Sequence, residues 1–102
     1  MRLFDTHCHL DEEAFVGDVE QVVARTLDEG LVGLATIGIT ADTSRAAVDL
    51  ANRFPHVHAV VGIQPNYVAE SNEADWETIL ELVCDPQVVA VGETGLDRYW
   101  DY

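Results

Sequence analysis

Residues 31–39 form an almost unbroken apolar run, with Leu31, Val32, Leu34, Ala35, Ile37 and Ile39 interrupted by Thr36 and by glycines at 33 and 38. Such a run is too short for a surface helix and too uniformly apolar for a strand with one wet face, so it reads as a strand buried on both sides. Strands of that kind sit in parallel sheets covered by helices, which narrows the chain to an α/β architecture. The neighbouring segments agree. Phe15, Val19, Val22, Val23 and Leu27 recur at helical spacing, with Gly30 placed as a C-terminal cap. Ala47, Leu50, Ala51 and Phe54 repeat in the same way, with Asp42, Thr43 or Ser44 available as N-cap and Pro55 as the stop. Trp76, Ile79, Leu80 and Val83 mark a third helix, capped by Ser71 or Asn72 and ended at Asp85-Pro86. Residues 2–8, 57–63 and 88–91 supply three further strands.

The order β-α-β-α-β-α-β predicts a parallel sheet joined by right-handed crossovers. Three βα units and a fourth strand make about half of an eight-fold βα barrel, whose usual length is ~250 residues. A flavodoxin-like sheet is the rival, but it would carry a glycine-rich or phosphate loop after its first strand. That position holds Thr6-His7-Cys8-His9 instead. The 102 residues have room for one domain, residues 1–102.

Charge excludes several roles. The formal net charge is −14, and all 5 basic side chains are arginines, so no Lys/Arg field is available for phosphate backbones or anionic membranes. Any nucleic-acid contact must be organised by bound cations. Cys8 and Cys84 give no disulfide framework, and neither a signal peptide nor an 18-residue apolar span is present. Free thiols and a cytoplasmic location are the expectation.

In parallel βα folds the functional groups sit at the carboxyl ends of strands. His7 and His9 lie two residues apart at such an end, where the period of a strand points both imidazoles the same way, and two imidazoles so placed can grip one metal ion. The bland alternative is a pair of polar residues at a strand end. A second H-x-H, His56-Val57-His58, opens the third strand and so falls at the opposite, stability end. Glu93 closes the fourth strand between Gly92 and Gly95, which imply a backbone closely approached by something. Two imidazoles and a carboxylate suit Zn, Mn, Fe or Mg. Asp5 can orient a histidine from outside the ligand set. Asp97 can do the same or cap the turn after it. Arg98 is either a phosphate clamp or a member of a surface ion pair.

Phe4-Asp5-Thr6-His7-Cys8-His9-Leu10, Gly62-Ile63-Gln64-Pro65-Asn66 and Gly92-Glu93-Thr94-Gly95-Leu96-Asp97 resemble, in order and spacing, three signatures of the TatD family of metal-dependent hydrolases. The resemblance implies a TIM barrel, of which this chain is the N-terminal half, and a site of two divalent ions, Mg, Zn or Mn. It implies His7 and His9 as ligands and Glu93 as the bridging, catalytic carboxylate. Relatives in the wider amidohydrolase group place a carboxylated lysine at the end of the fourth strand. This chain, with no lysine, has Glu93 there. The family's third signature usually reads Gly-x-His-Pro-His, so Gln64 and Asn66 stand where substrate-contacting histidines are usual. Amides can hydrogen-bond an oxyanion but cannot transfer protons near neutral pH. The remaining ligands of the family, two histidines and a catalytic aspartate, would fall beyond residue 102.

The resulting expectation is part of a hydrolase that cleaves phosphodiester bonds in DNA by metal-activated water, inactive or nearly so as an isolated chain. The alternatives are another ester or amide hydrolysis on the same barrel, or a non-catalytic role in assembly. The two open sheet edges suggest residues elsewhere that close the barrel, or a homodimer.

Overall fold

The computed structural model describes residues 2–99. Four strands, β1 (Leu3–Cys8), β2 (Leu31–Ile37), β3 (Val57–Val61) and β4 (Val88–Val91), alternate with three helices, α1 (Val19–Asp28), α2 (Ala41–Arg53) and α3 (Glu73–Leu82). The strands pair in chain order, every pair parallel, with β1 and β4 at the edges of an open sheet. This is the N-terminal half of a TIM-type barrel. Among the described residues no helix is long and apolar enough to cross a membrane.

The two-sided burial of the central run has a direct cause. Leu34, Val57, Ala59 and Val61 face the helices, where Val23, Ala47, Val48, Leu50, Ala51 and Ile79 close over them. Ala35, Ile37 and Val60 form a separate cluster on the opposite face. Leu3, Phe4, Val89 and Val91 on the edge strands stay about half exposed. Phe4 lies over Gly33 of β2, where an added Cβ would come 3.0 Å from the ring's Cδ2. Crossing that bare position, the ring stacks on His58 of β3 with centroids 5.9 Å apart. The second histidine pair thus belongs to the amino end of the sheet, as its position after Pro55 implies.

Several boundaries differ from expectation. Thr40, not Asp42, Thr43 or Ser44, caps α2: its hydroxyl accepts from the Thr43 N–H at 3.1 Å, and the Thr43 hydroxyl accepts from the Thr40 N–H at 2.8 Å. The Thr43 hydroxyl also takes the Ile39 N–H at 2.8 Å, which removes that donor from the ladder and ends β2 at Ile37. Asn72 caps α3, as one of the two candidates. Phe15 belongs to a short 3-10 turn, and α1 begins only at Val19. Gly30 does follow α1 with φ +96°, a left-handed conformation that suits glycine.

Two close approaches fix the carboxyl end of the sheet. A Cβ on Gly38 would collide with the Ser44 backbone, so glycine is what lets α2 begin so near β2. Buried Ser44 then binds both sides of Gly62: its Oγ donates to the Gly62 carbonyl and accepts from the Gly62 N–H, each at 3.1 Å. Gly62 in turn abuts Gly92, whose carbonyl carbon would lie 2.7 Å from an added Cβ. Ser44→Ala is expected to lower unfolding free energy by ~1–3 kcal/mol, because two buried backbone groups lose their partner. Urea denaturation reads this, and an unchanged midpoint would show that the tie contributes nothing.

Candidate metal centre

β1 pairs Asp5 with Leu34 and Cys8 with Thr36, so Thr6 and His7 together face Ala35 alone. This irregularity re-aims the residues that follow it, as bulges do. The Asp5 carboxylate accepts the His7 backbone N–H at 3.0 Å. Asp5 therefore steadies the main chain of the bulge, and among the described residues it hydrogen-bonds neither imidazole. Downstream, the Leu10 N–H donates to the buried Thr36 hydroxyl at 3.2 Å, which pins the chain just past His9.

The two imidazoles meet edge to face, with centroids 5.1 Å apart. His9 Nδ1 lies 2.9 Å from the Ile37 carbonyl oxygen. Donation of an Nδ1 proton to that carbonyl leaves the Nε2 lone pair free. Nε2 of His9 is 3.7 Å from Glu93 Oε2, and Nε2 of His7 is 3.8 Å from the same oxygen. One ligand atom from each of the three lies within 4.8 Å of the others. Two donors on opposite sides of one ion are ~4.2 Å apart, since each sits ~2.1 Å from it. The donor set is thus of the right type and nearly the right span for a divalent ion.

Glu93 stands two residues past β4. The Gly92 N–H donates to the Val61 carbonyl at 2.9 Å, and the Gly92–Glu93 peptide is cis. Of the two flanking glycines, Gly92 answers the close approach to Gly62, whereas Gly95 is open on its Cβ side and has φ +111°. Its reason is conformational.

Gln64 and Asn66 lie across the cavity that Glu93 and His9 line, a space of about 710 Å³. Gln64 Oε1 accepts the Asn66 N–H at 2.8 Å and caps the 3-10 turn Pro65–Glu70. Asn66 Nδ2 donates to Asp97 Oδ2 at 3.1 Å, while Asp97 Oδ1 accepts the Tyr99 N–H at 2.8 Å. Asp97 therefore caps its turn and reaches Asn66, and among the described residues it hydrogen-bonds neither histidine. Arg98 is exposed and does not line the cavity. The Ile37 carbonyl was not legible in the sequence, because a backbone acceptor carries no side-chain signature. Asp11, Glu12, Tyr67 and Glu70 also line the cavity. Their signal was position alone, in the loops that follow β1 and β3.

Parallel strands with strand-end imidazoles and a carboxylate place the molecule in the class of βα-barrel proteins that gather metal-ligand side chains at the carboxyl ends of their strands. The sequence pattern described as "TatD related DNase" matches residues 4–102, and the chain belongs to that family. It is 34% identical over 99 residues to the "Uncharacterized metal-dependent hydrolase YabD" of Bacillus subtilis, covering 97% of this chain and 39% of that protein. It is 35% identical over 95 residues to the "3'-5' ssDNA/RNA exonuclease TatD" of Salmonella typhimurium, covering 93% and 36%. The crystal structure of YJJV, a TatD homologue from Escherichia coli K12, superposes with a TM-score of 0.87 at 29% identity, over 97% of this chain and 39% of that one. The chain thus spans less than two fifths of the length of these relatives.

Between the histidines, Cys8 packs against the core and its Sγ lies 3.2 Å from the Ala35 carbonyl. Burial first, then the charges of Asp5 and Asp11, push its thiol from 9.0 up to about 11. Below pH 9 the group is neutral folded or unfolded. Between 9.0 and about 11 the unfolded chain ionises while the folded one stays protonated, so this contribution to stability is lost as pH rises through that window. In metal-free protein at pH 8, iodoacetamide is expected to label exposed Cys84 well before Cys8. Peptide mass spectrometry checks the order, and equal rates would contradict the burial argument.

Proposed function

We propose that this chain is part of a metal-dependent hydrolase that cleaves phosphodiester bonds in DNA, in which His7, His9 and Glu93 would hold the divalent ions. The observation that carries the reading is the meeting of two imidazole nitrogens and one carboxylate oxygen at the carboxyl edge of a parallel sheet. Divalent ions such as Mg, Zn or Mn, when bound at such a site, acidify water and balance charge developing on a phosphoryl oxygen. The chain's own groups prepare for this. The Ile37 carbonyl fixes the tautomer of His9 and turns Nε2 toward Glu93. Gln64 and Asn66 offer neutral amides that orient substrate oxygens without moving protons. Arg98, exposed one residue past Asp97 and outside the cavity lining, would be available as a phosphate clamp only to a part of the substrate that extends beyond the cavity.

The names of relatives support a nuclease, one of them being called an ssDNA/RNA exonuclease. The cavity supports cation dependence: among the described residues Asp11, Glu12, Glu70 and Asp97 line it together with Glu93, and no arginine does. The same acidic lining favours, as a second reading, hydrolysis of an ester or amide in a neutral or cationic substrate. In either case the unpaired outer edges of β1 and β4 call for further βα units bearing the remaining ligands. A second copy is the other way to cover those edges, and light scattering that returns one species near 11.2 kDa at all concentrations excludes it. Free thiols at Cys8 and Cys84 accord with a cytoplasmic setting.

Titration calorimetry with Zn²⁺ or Mn²⁺ tests the site. His7→Ala, His9→Ala and Glu93→Ala are each expected to weaken binding at least ~10-fold, the scale on which even outer-shell partners act. Unchanged affinity in all three sinks the assignment. On single-stranded oligonucleotides the chain alone is expected to show hydrolysis near background, because it spans less than two fifths of the length of its relatives. Turnover abolished by His7→Ala would show that the half-site suffices.

A further inference from the structure

We infer that Asn66 is a positioning residue for Glu93 and acts through Asp97; this rests on reading Glu93 as a metal ligand. Among the described residues no hydrogen bond holds the Glu93 carboxylate, since its approaches to His7 and His9 are 3.8 and 3.7 Å. Its placement is therefore decided by the main chain on either side. On the amino side that chain is fixed by the Gly92 N–H on the Val61 carbonyl. On the carboxyl side residues 94–99 form neither helix nor strand, and Gly95 at φ +111° gives the segment a pivot two residues past Glu93. Asn66 supplies an anchor beyond that pivot, through its 3.1 Å hydrogen bond to the Asp97 carboxylate.

Asn66 is itself well placed to act as one. Its N–H is taken by Gln64 Oε1 at 2.8 Å, and the Gln64 N–H is taken by the Ile39 carbonyl at 2.8 Å. A line of hydrogen bonds thus runs from the end of β2, through the turn after β3, to the segment that carries Glu93. The end of β2 also orients His9 through the Ile37 carbonyl. Both the imidazole and the carboxylate are referred to the same strand end, which is what a shared coordination sphere needs. The charged acceptor makes the Asn66–Asp97 bond stronger than a neutral pair, and an amide at 66 keeps its donor at any pH. Asp97 spends its other oxygen on the Tyr99 N–H, so the turn is closed as well as tethered.

The test uses Asn66→Ala, Asp97→Ala and the double variant of this chain, with two readouts. In metal-free protein, heteronuclear NOE values for the amides of residues 93–99 report the order of the segment. In a Co²⁺ titration, the visible absorption band reports affinity and coordination geometry. The expected result is reduced order in each variant, a loss of Co²⁺ affinity of about ten-fold in each single variant, and no further loss in the double, with an altered band and a near-native unfolding midpoint. Additive losses, or order and affinity as in the parent chain, overturn the inference. Should the parent chain fail to bind Co²⁺, the metal reading falls while the NOE values still decide the tether: lost order in both single variants sustains it, and unchanged order overturns it.

Discussion

The parallel pairing of β2 with β3, in the register Leu34↔Val57 through Ile37↔Val60, is the constraint on which the rest depends. Both strands are buried on both faces, so a slip of one residue would exchange Leu34 and Thr36 with Ala35 and Ile37 and misplace both clusters. With that register fixed, the carboxyl ends of all four strands arrive at one edge. Ile37 then presents its carbonyl to His9, and Gly62 presents its backbone both to Ser44 and to Gly92. Part of the site is thus held by the last hydrogen-bonding positions of the sheet, to which the bulge in β1 and the Asn66–Asp97 tie are added.

This accounts for which parts were legible. Strand and helix existence follows from hydrophobic period, and residues 31–39 announced a doubly buried strand without ambiguity. The ends were less legible, because they are set by competition for single backbone donors. Ile39 is as apolar as Ile37, yet its N–H goes to Thr43, a contest that periodicity does not register. Capping shows the same limit: Asp42, Thr43 and Ser44 are all good cap residues, and Thr40 wins because Thr43 answers it in a reciprocal box. At the site, the convergence of His7, His9 and Glu93 was readable from strand-end placement. The part of Asp5 was not, since it depends on a bulge that hydrophobic pattern cannot reveal. The tie from Asn66 to Asp97 joins two loops far apart in the chain, and only the fold brings them together.

The electrostatic character of the cavity deserves equal weight with its geometry. Among the described residues carboxylates line it and no arginine does, in a chain of net charge −14. Such a lining concentrates cations and repels unneutralised phosphates, so affinity for metal and affinity for an anionic substrate are coupled through charge. The amides at 64 and 66 fit that setting. They add hydrogen-bonding capacity without adding charge of either sign.

The strictly sequential strand order has a kinetic meaning. Each strand docks beside the one made just before it, so the sheet can grow in the direction of synthesis, each step closing only the loop formed by one intervening helix. The histidines come from the first strand and the carboxylate from just beyond the last. Their meeting therefore requires all four strands to be in place, so the convergence of the three side chains reports on the whole sheet rather than on any one βα unit.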